Sequence, residues 1–130
     1  MKGIENKYLI ISIVWMVLIW TISSLPSSEL PSFQVFGFDK IAHFSIYMIW
    51  GLLVNKHLLK VRTHIVTSIA IYSLMCLCAS LDEWHQHYIP GRSVNVYDLL
   101  ANLFGLITSL VTLTIQSKIG KSDFSKRSPR

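Results

Sequence analysis

At 130 residues, 52% hydrophobic and only 15% charged, the chain is one domain and too apolar for a soluble all-α bundle, whose helices each need a polar outer face. Its net charge of +5 sits on residues flanking long apolar runs. That is the pattern of a basic rim beside anionic lipid, and it sets nucleic acid aside as a partner.

The first uncharged run covers residues 8–25, behind Lys2 and Lys7. It is longer than the roughly 7–15 apolar residues of a secretory leader, and no Ala-x-Ala-like cleavage site follows, so it is expected to be a retained helix. The serine-rich stretch "ISSLPSSELPS" then reads as an interfacial loop punctuated by Pro26 and Pro31. The second run, 41–55, is 15 residues long, short of the roughly 20 that cross a hydrocarbon core. Residues 38–40 and 56–59 complete it, with lysines reaching the interface at its ends. Asp39, His43, Tyr47, Gly51 and Asn55 recur every fourth residue, one stripe of a helix. Asp39 suits the positive end of that helix; His43, one turn deeper, needs a polar partner.

The third run covers 65–81 and leads into "SLDEWHQHYIPGRS". Cys76 and Cys78 project about 200° apart on a helix and are packing residues, not a disulfide pair. If the helix persists past the run, Glu83 and Gln86 share a face with Asp82 beside them. Pro90-Gly91 supplies a turn that brings Arg92 back over the helix ends, where its fork can pair with Asp82, Glu83, Asp98 or an arriving phosphate. Trp84, Tyr88 and Tyr97 fit an interfacial aromatic belt. His85 and His87 are two apart and face different ways, so with His43 they make a poor ligand set and no metal is expected. The fourth run, 99–117, carries a seam of Asp98, Asn102, Gly105, Ser109, Thr112 and Gln116, whose small members suit helix packing. Residues 118–130 read as a basic, disordered cytoplasmic tail.

Ten Lys and Arg lie on the N-terminal tail, the second connection (Lys56, Lys60, Arg62) and the C-terminal tail, against two, Lys40 and Arg92, on the other side. The positive-inside rule makes both termini cytoplasmic. The expected architecture is therefore all-α, a four-helix transmembrane bundle over residues 1–117, multi-pass in a plasma membrane. Its outward face gathers Asp39, Lys40, His43, Asp82, Glu83, Gln86, Arg92, Asp98 and Asn102. Three roles fit that set. It can recognise a lipid head group or a lipid-linked envelope component. It can be structural, either a network in which Arg92 neutralises Asp82, Glu83 or Asp98 and locks the third and fourth helices together, or a polar seam that docks a partner membrane protein. Or it can be a hydrolase or transferase site for a phosphorylated lipid, with His43, Glu83 or Asp98 as acid or base and Arg92 and Lys40 holding the anion. The chain has no phosphate-cradling Gly-rich loop, Gly-x-Ser-x-Gly turn or His-Glu-x-x-His motif, and no cofactor is expected.

Asp39-Lys40-x-x-His43, Asp82-Glu83-x-x-Gln86, Gly91-Arg92-Ser93 and Asp98-x-x-x-Asn102-x-x-Gly105, in this order and preceded by "SSLPS", resemble the VanZ-like family of small bacterial membrane proteins. The basic tail and the His85-Gln86-His87 context are not part of the family pattern. The resemblance implies an integral membrane protein of four helices. It also implies a link to the cell envelope, because the founding member accompanies glycopeptide resistance and lowered susceptibility to teicoplanin. The partners it suggests are membrane lipids and a lipid-linked envelope precursor or glycopeptide.

Overall fold

The computed structural model describes residues 2–29, 37–61 and 63–127, with side chains described for 6–29, 37–61 and 63–119. Pro31 and Ser32 of the serine-rich loop, Arg62 of the second connection and residues 128–130 of the tail lie outside the described residues. So do the side chains of Lys2, Lys121, Lys126 and Arg127.

Local chemistry sets the helix boundaries. α1 (Lys2–Ser23) stops three residues before Pro26, which can neither donate to a helix ladder nor let its predecessor stay helical. α2 (Phe38–Lys60) follows Gly37, whose φ of 82° is open to glycine at little cost. α3 (Ile65–His85) does run through Asp82 and Glu83, and a short 3-10 turn over Gln86–Tyr88 closes it. α4 (Val96–Arg127) begins after Asn95, whose Oδ1 accepts the Tyr97 backbone N–H at 3.0 Å, a helix cap. α4 does not end with the apolar run at Ser117. Its backbone continues as helix to Arg127. No strand occurs among the described residues.

The helices alternate in direction. Ser23 at the end of α1 meets Asp82 near the end of α3, while Lys40 at the start of α2 meets Asp98 at the start of α4. These four ends form what we call the distal end.

Among the described residues, three segments are long and apolar enough to cross a membrane: Asn6–Ser23, Ile65–Tyr88 and Val96–Ile119. α2 is not among them, because its stripe and lysines dilute its apolar character. The fold compensates by shielding it. α1 packs along one side of α2 and α4 along another, and between residues 42 and 55 only Ile49 is exposed. The bundle is polar inside and apolar outside. Ser12, Ser23, Asn55, Ser68, Asp82, Glu83, Gln86, Asp98, Asn102 and Ser109 are buried, while Val14, Val66, Leu74, Phe104 and Ile107 lead a long series of exposed large apolar side chains. Water would penalise that arrangement and hydrocarbon favours it, so the chain is a membrane protein.

What holds α2 inside is direct contact with α4. A methyl group added at Gly105 would strike the Phe44 carbonyl and lie 2.9 Å from the Met48 amide nitrogen; one added at Gly51 would lie 2.6 Å from Ser109 Cβ. Each helix therefore offers a glycine to the other, and backbones meet as small residues allow in membranes. One turn onward, Tyr72 Oη donates to Asn55 Oδ1 at 2.6 Å and shares a 2.9 Å hydrogen bond with Ser109 Oγ, while Asn55 Nδ2 donates to the Ser109 carbonyl at 2.6 Å. This knot ties α2, α3 and α4 together without a charge. On the opposite flank Trp15 Nε1 donates to the Ile46 carbonyl at 3.1 Å and fastens α1 to α2. The seam expected on α4 is thus a packing face through Gly105, Ser109 and half-buried Thr112, and Gln116 leaves it for the exterior.

Gly105→Ala pushes backbone against backbone, which no side-chain rotation relieves. It should destabilise the protein by about 1–3 kcal/mol, read as a lower midpoint of thermal unfolding in detergent; an unchanged midpoint would refute the close approach.

Candidate functional site

The end of α3 carries the densest buried polarity. Asp82 and Glu83 are each only 1% exposed. Being consecutive in a helix they point about 100° apart, so each serves different neighbours. Asp82 faces α1 and α2: its Oδ2 accepts from Ser23 Oγ at 3.0 Å and from Tyr47 Oη at 2.8 Å. Glu83 faces the start of α4, where its Oε1 accepts the Asn95 backbone N–H at 2.7 Å. One carboxylate therefore joins three helices while the other positions the cap residue of a fourth.

Each acid uses only half of its acceptor capacity. Asp82 Oδ1 and Glu83 Oε2 are buried without a hydrogen-bond partner, and so are two donors, Gln86 Nε2 and Asn102 Nδ2. Asn102, fully buried, spends its other amide atom on α2: its Oδ1 stands 3.0 Å from His43 Nδ1. With that oxygen as acceptor, Nδ1 carries the proton and Nε2 is left as the basic nitrogen of a neutral ring. Inside a membrane an unpaired carboxylate costs several kcal/mol or takes up a partner.

An ion-paired lysine stands at the same end. Lys40 Nζ lies 2.8 Å from Asp98 Oδ1 and also pairs with Asp39. The lysine and Asp39 side chains keep 34% and 56% exposure while Asp98 keeps 12%, so the pair grades from surface to interior. Asp39, Lys40, His43, Asp82, Glu83, Gln86, Asp98 and Asn102 are thus brought to one end of the bundle, on α2, α3, α4 and the 3-10 turn that closes α3.

Arg92 is placed elsewhere. The Pro90-Gly91 turn forms as expected, with Gly91 at φ 73°. It lies over the exit of α1, however: Ser27 N–H donates to the Pro90 carbonyl at 3.3 Å, and a methyl at Gly91 would come within 3.2 Å of Ser27 Cβ. Arg92 consequently donates through Nη2 to the Ile22 carbonyl at 3.3 Å and through Nε to the Leu25 carbonyl at 3.4 Å. Carbonyls at a helix end have no partner within the helix and attract a cation, so the guanidinium caps α1 and is not the counter-charge of Asp82, Glu83 or Asp98. The histidines also disperse. His85 stacks on Trp20 at 5.7 Å and lies 3.2 Å from Ser24 Oγ, while exposed His87 packs edge-on against Tyr88.

Three residues that hold the site in shape were not singled out for it from the sequence: Ser23, Tyr47 and Asn95. Tyr47 carried a signal, since it lies one turn below His43 on the same stripe. Ser23 lies in the "SSLPS" exit, and Asn95 is a cap-type residue directly before an apolar run. Which acid each would serve is set by helix packing alone.

A family model described as VanZ/LLP1 matches residues 5–116, which takes in every residue of the cluster. Comparison with curated proteins and with solved structures gives no match.

If Arg92 serves α1 and Lys40 serves Asp98, double-mutant cycles should separate them. Arg92→Ala with Glu83→Gln should be additive within about 0.5 kcal/mol, whereas Lys40→Ala with Asp98→Asn should be coupled by more than that. Chemical denaturation in detergent checks both, and strong coupling of Arg92 to Glu83 would reverse the assignment.

Proposed function

Because the chain belongs to the VanZ/LLP1 family, we propose that it is a bacterial plasma-membrane protein with four crossings and cytoplasmic termini. Its distal end faces outward and recognises a lipid-linked or glycopeptide-type component of the cell envelope. The observation that carries this reading is the set of unpartnered buried polar atoms on Asp82, Glu83, Gln86 and Asn102. A network that served only to lock helices together would close on itself, as the Tyr72, Asn55 and Ser109 knot does. The distal cluster leaves those four atoms unpaired. Its place beside the ion pair of Lys40 with Asp98 supports a ligand arriving from the outer leaflet. The orientation is supported by the charge asymmetry of the sequence, and the crossing of α2 by its shielding between α1 and α4. The connection to teicoplanin rests on kinship.

A second reading, a hydrolase or transferase acting on a phosphorylated lipid head group, is favoured by His43. Its ring is oriented by Asn102 through Nδ1, which leaves Nε2 as the basic nitrogen a general base requires.

Purified protein mixed with lipid-linked envelope precursors separates these functions. Recognition predicts that wild type retains precursor unchanged and that Glu83→Gln weakens retention about tenfold, the loss of roughly 1.4 kcal/mol of contact. Product formation that vanishes in His43→Gln would favour the enzyme. Wild type that neither retains nor converts any precursor would contradict both. For topology, a cysteine introduced by Ser93→Cys should react with an impermeant label on intact cells; protection there would invert the orientation.

A further inference from the structure

The charge balance of the distal cluster bears on the ligand's chemistry. Four acids, Asp39, Asp82, Glu83 and Asp98, gather there with one lysine, and that lysine is already held by Asp39 and Asp98. Arg92, the other cation expected at this end, is occupied by the carbonyls of α1. The acids therefore outnumber the cations that face them, and two carboxylate oxygens, Asp82 Oδ1 and Glu83 Oε2, stand without a partner, with His43 Nε2 the basic nitrogen of its ring. A primary ammonium carries three N–H donors. The two open donors, Gln86 Nε2 and Asn102 Nδ2, are 3% and 0% exposed by residue, and they suit oxygens near such an ammonium. A shallow apolar groove reaches this end from the membrane side, lined by Ile41 and Phe44 of α2 and by Ala101, Phe104 and Thr108 of α4, with Lys40 bordering it.

Resting on the recognition reading above, we infer that the occupant is a bilayer lipid whose head group carries a primary ammonium, with its chain along the α2–α4 groove and its ammonium among Asp82, Glu83 and His43. The head group passes Lys40 and Asp98 on entry, and its phosphate or ester oxygens meet Lys40 as the ammonium meets the acids. A charge-assisted N–H donated to a carboxylate is among the stronger contacts a buried site can make. A quaternary ammonium has the same charge but no N–H, and a glycerol head group has neither.

The test uses the full-length protein in detergent, exposed to equimolar phosphatidylethanolamine, phosphatidylcholine and phosphatidylglycerol of matched chains, with retained lipid read by native mass spectrometry. Phosphatidylethanolamine should be retained at least tenfold over each of the others. Glu83→Gln and Asp82→Asn should each reduce that preference severalfold, and Arg92→Lys should leave it unchanged. Preference for phosphatidylglycerol, or equal retention of the amine and choline lipids, overturns the ammonium assignment and leaves lipid recognition standing. Retention of none of the three by wild type overturns the ammonium assignment; retention of a lipid-linked precursor by the same preparation then shows whether recognition itself survives. The comparison among lipids on wild type decides the matter even if a variant fails to fold.

Discussion

Where Gly105 lies against the Phe44 carbonyl and the Met48 amide, α2 and α4 meet with no side chain between them, and the placement of nearly every polar group follows from that contact. α2 carries His43 and Asn55 along one stripe. In hydrocarbon these groups need protein partners. Close approach to α4 supplies them: Asn102 for His43, and the Ser109 carbonyl for Asn55. The same approach brings Lys40 within reach of Asp98. A bulkier residue at Gly105 would part the helices and leave these pairs unmade together.

The two ends of the interior are built on different principles. Toward the chain termini, Tyr72, Asn55 and Ser109 close a neutral network in which each described group has a partner. Toward the distal end, carboxylates take over, and each of Asp82 and Glu83 is only half satisfied. Neutral hydrogen bonds are the inexpensive way to join helices in a membrane; buried carboxylates demand a proton, a counter-ion or a ligand. The demanding groups lie at the end that also carries the Lys40 ion pairs.

Much of this was legible in the sequence, because periodicity survives folding. The stripe from Asp39 to Asn55 and the seam from Asp98 to Thr112 named the facing surfaces of α2 and α4, and Gly105 was readable as a packing residue. Asp82, Glu83 and Gln86 were readable as one group once α3 was allowed to continue to His85. Arg92 was not. A sequence shows that Pro90-Gly91 turns the chain, but the direction of the turn depends on where α1 ends in space, and Ser27 draws the turn toward α1. The partners of Asp82, Ser23 and Tyr47, lie 59 and 35 residues away from it, a distance no local pattern spans.

A crystal structure grown in a lipidic phase that contains envelope lipid extract addresses the openness of the distal cluster most directly. The expected result is density of a bound molecule against Asp82 Oδ1 and Glu83 Oε2, with Arg92 still on the Ile22 and Leu25 carbonyls. Arg92 folded inward onto both carboxylates, with no space left beside Gln86 and Asn102, would contradict it and make the cluster a lock between helices.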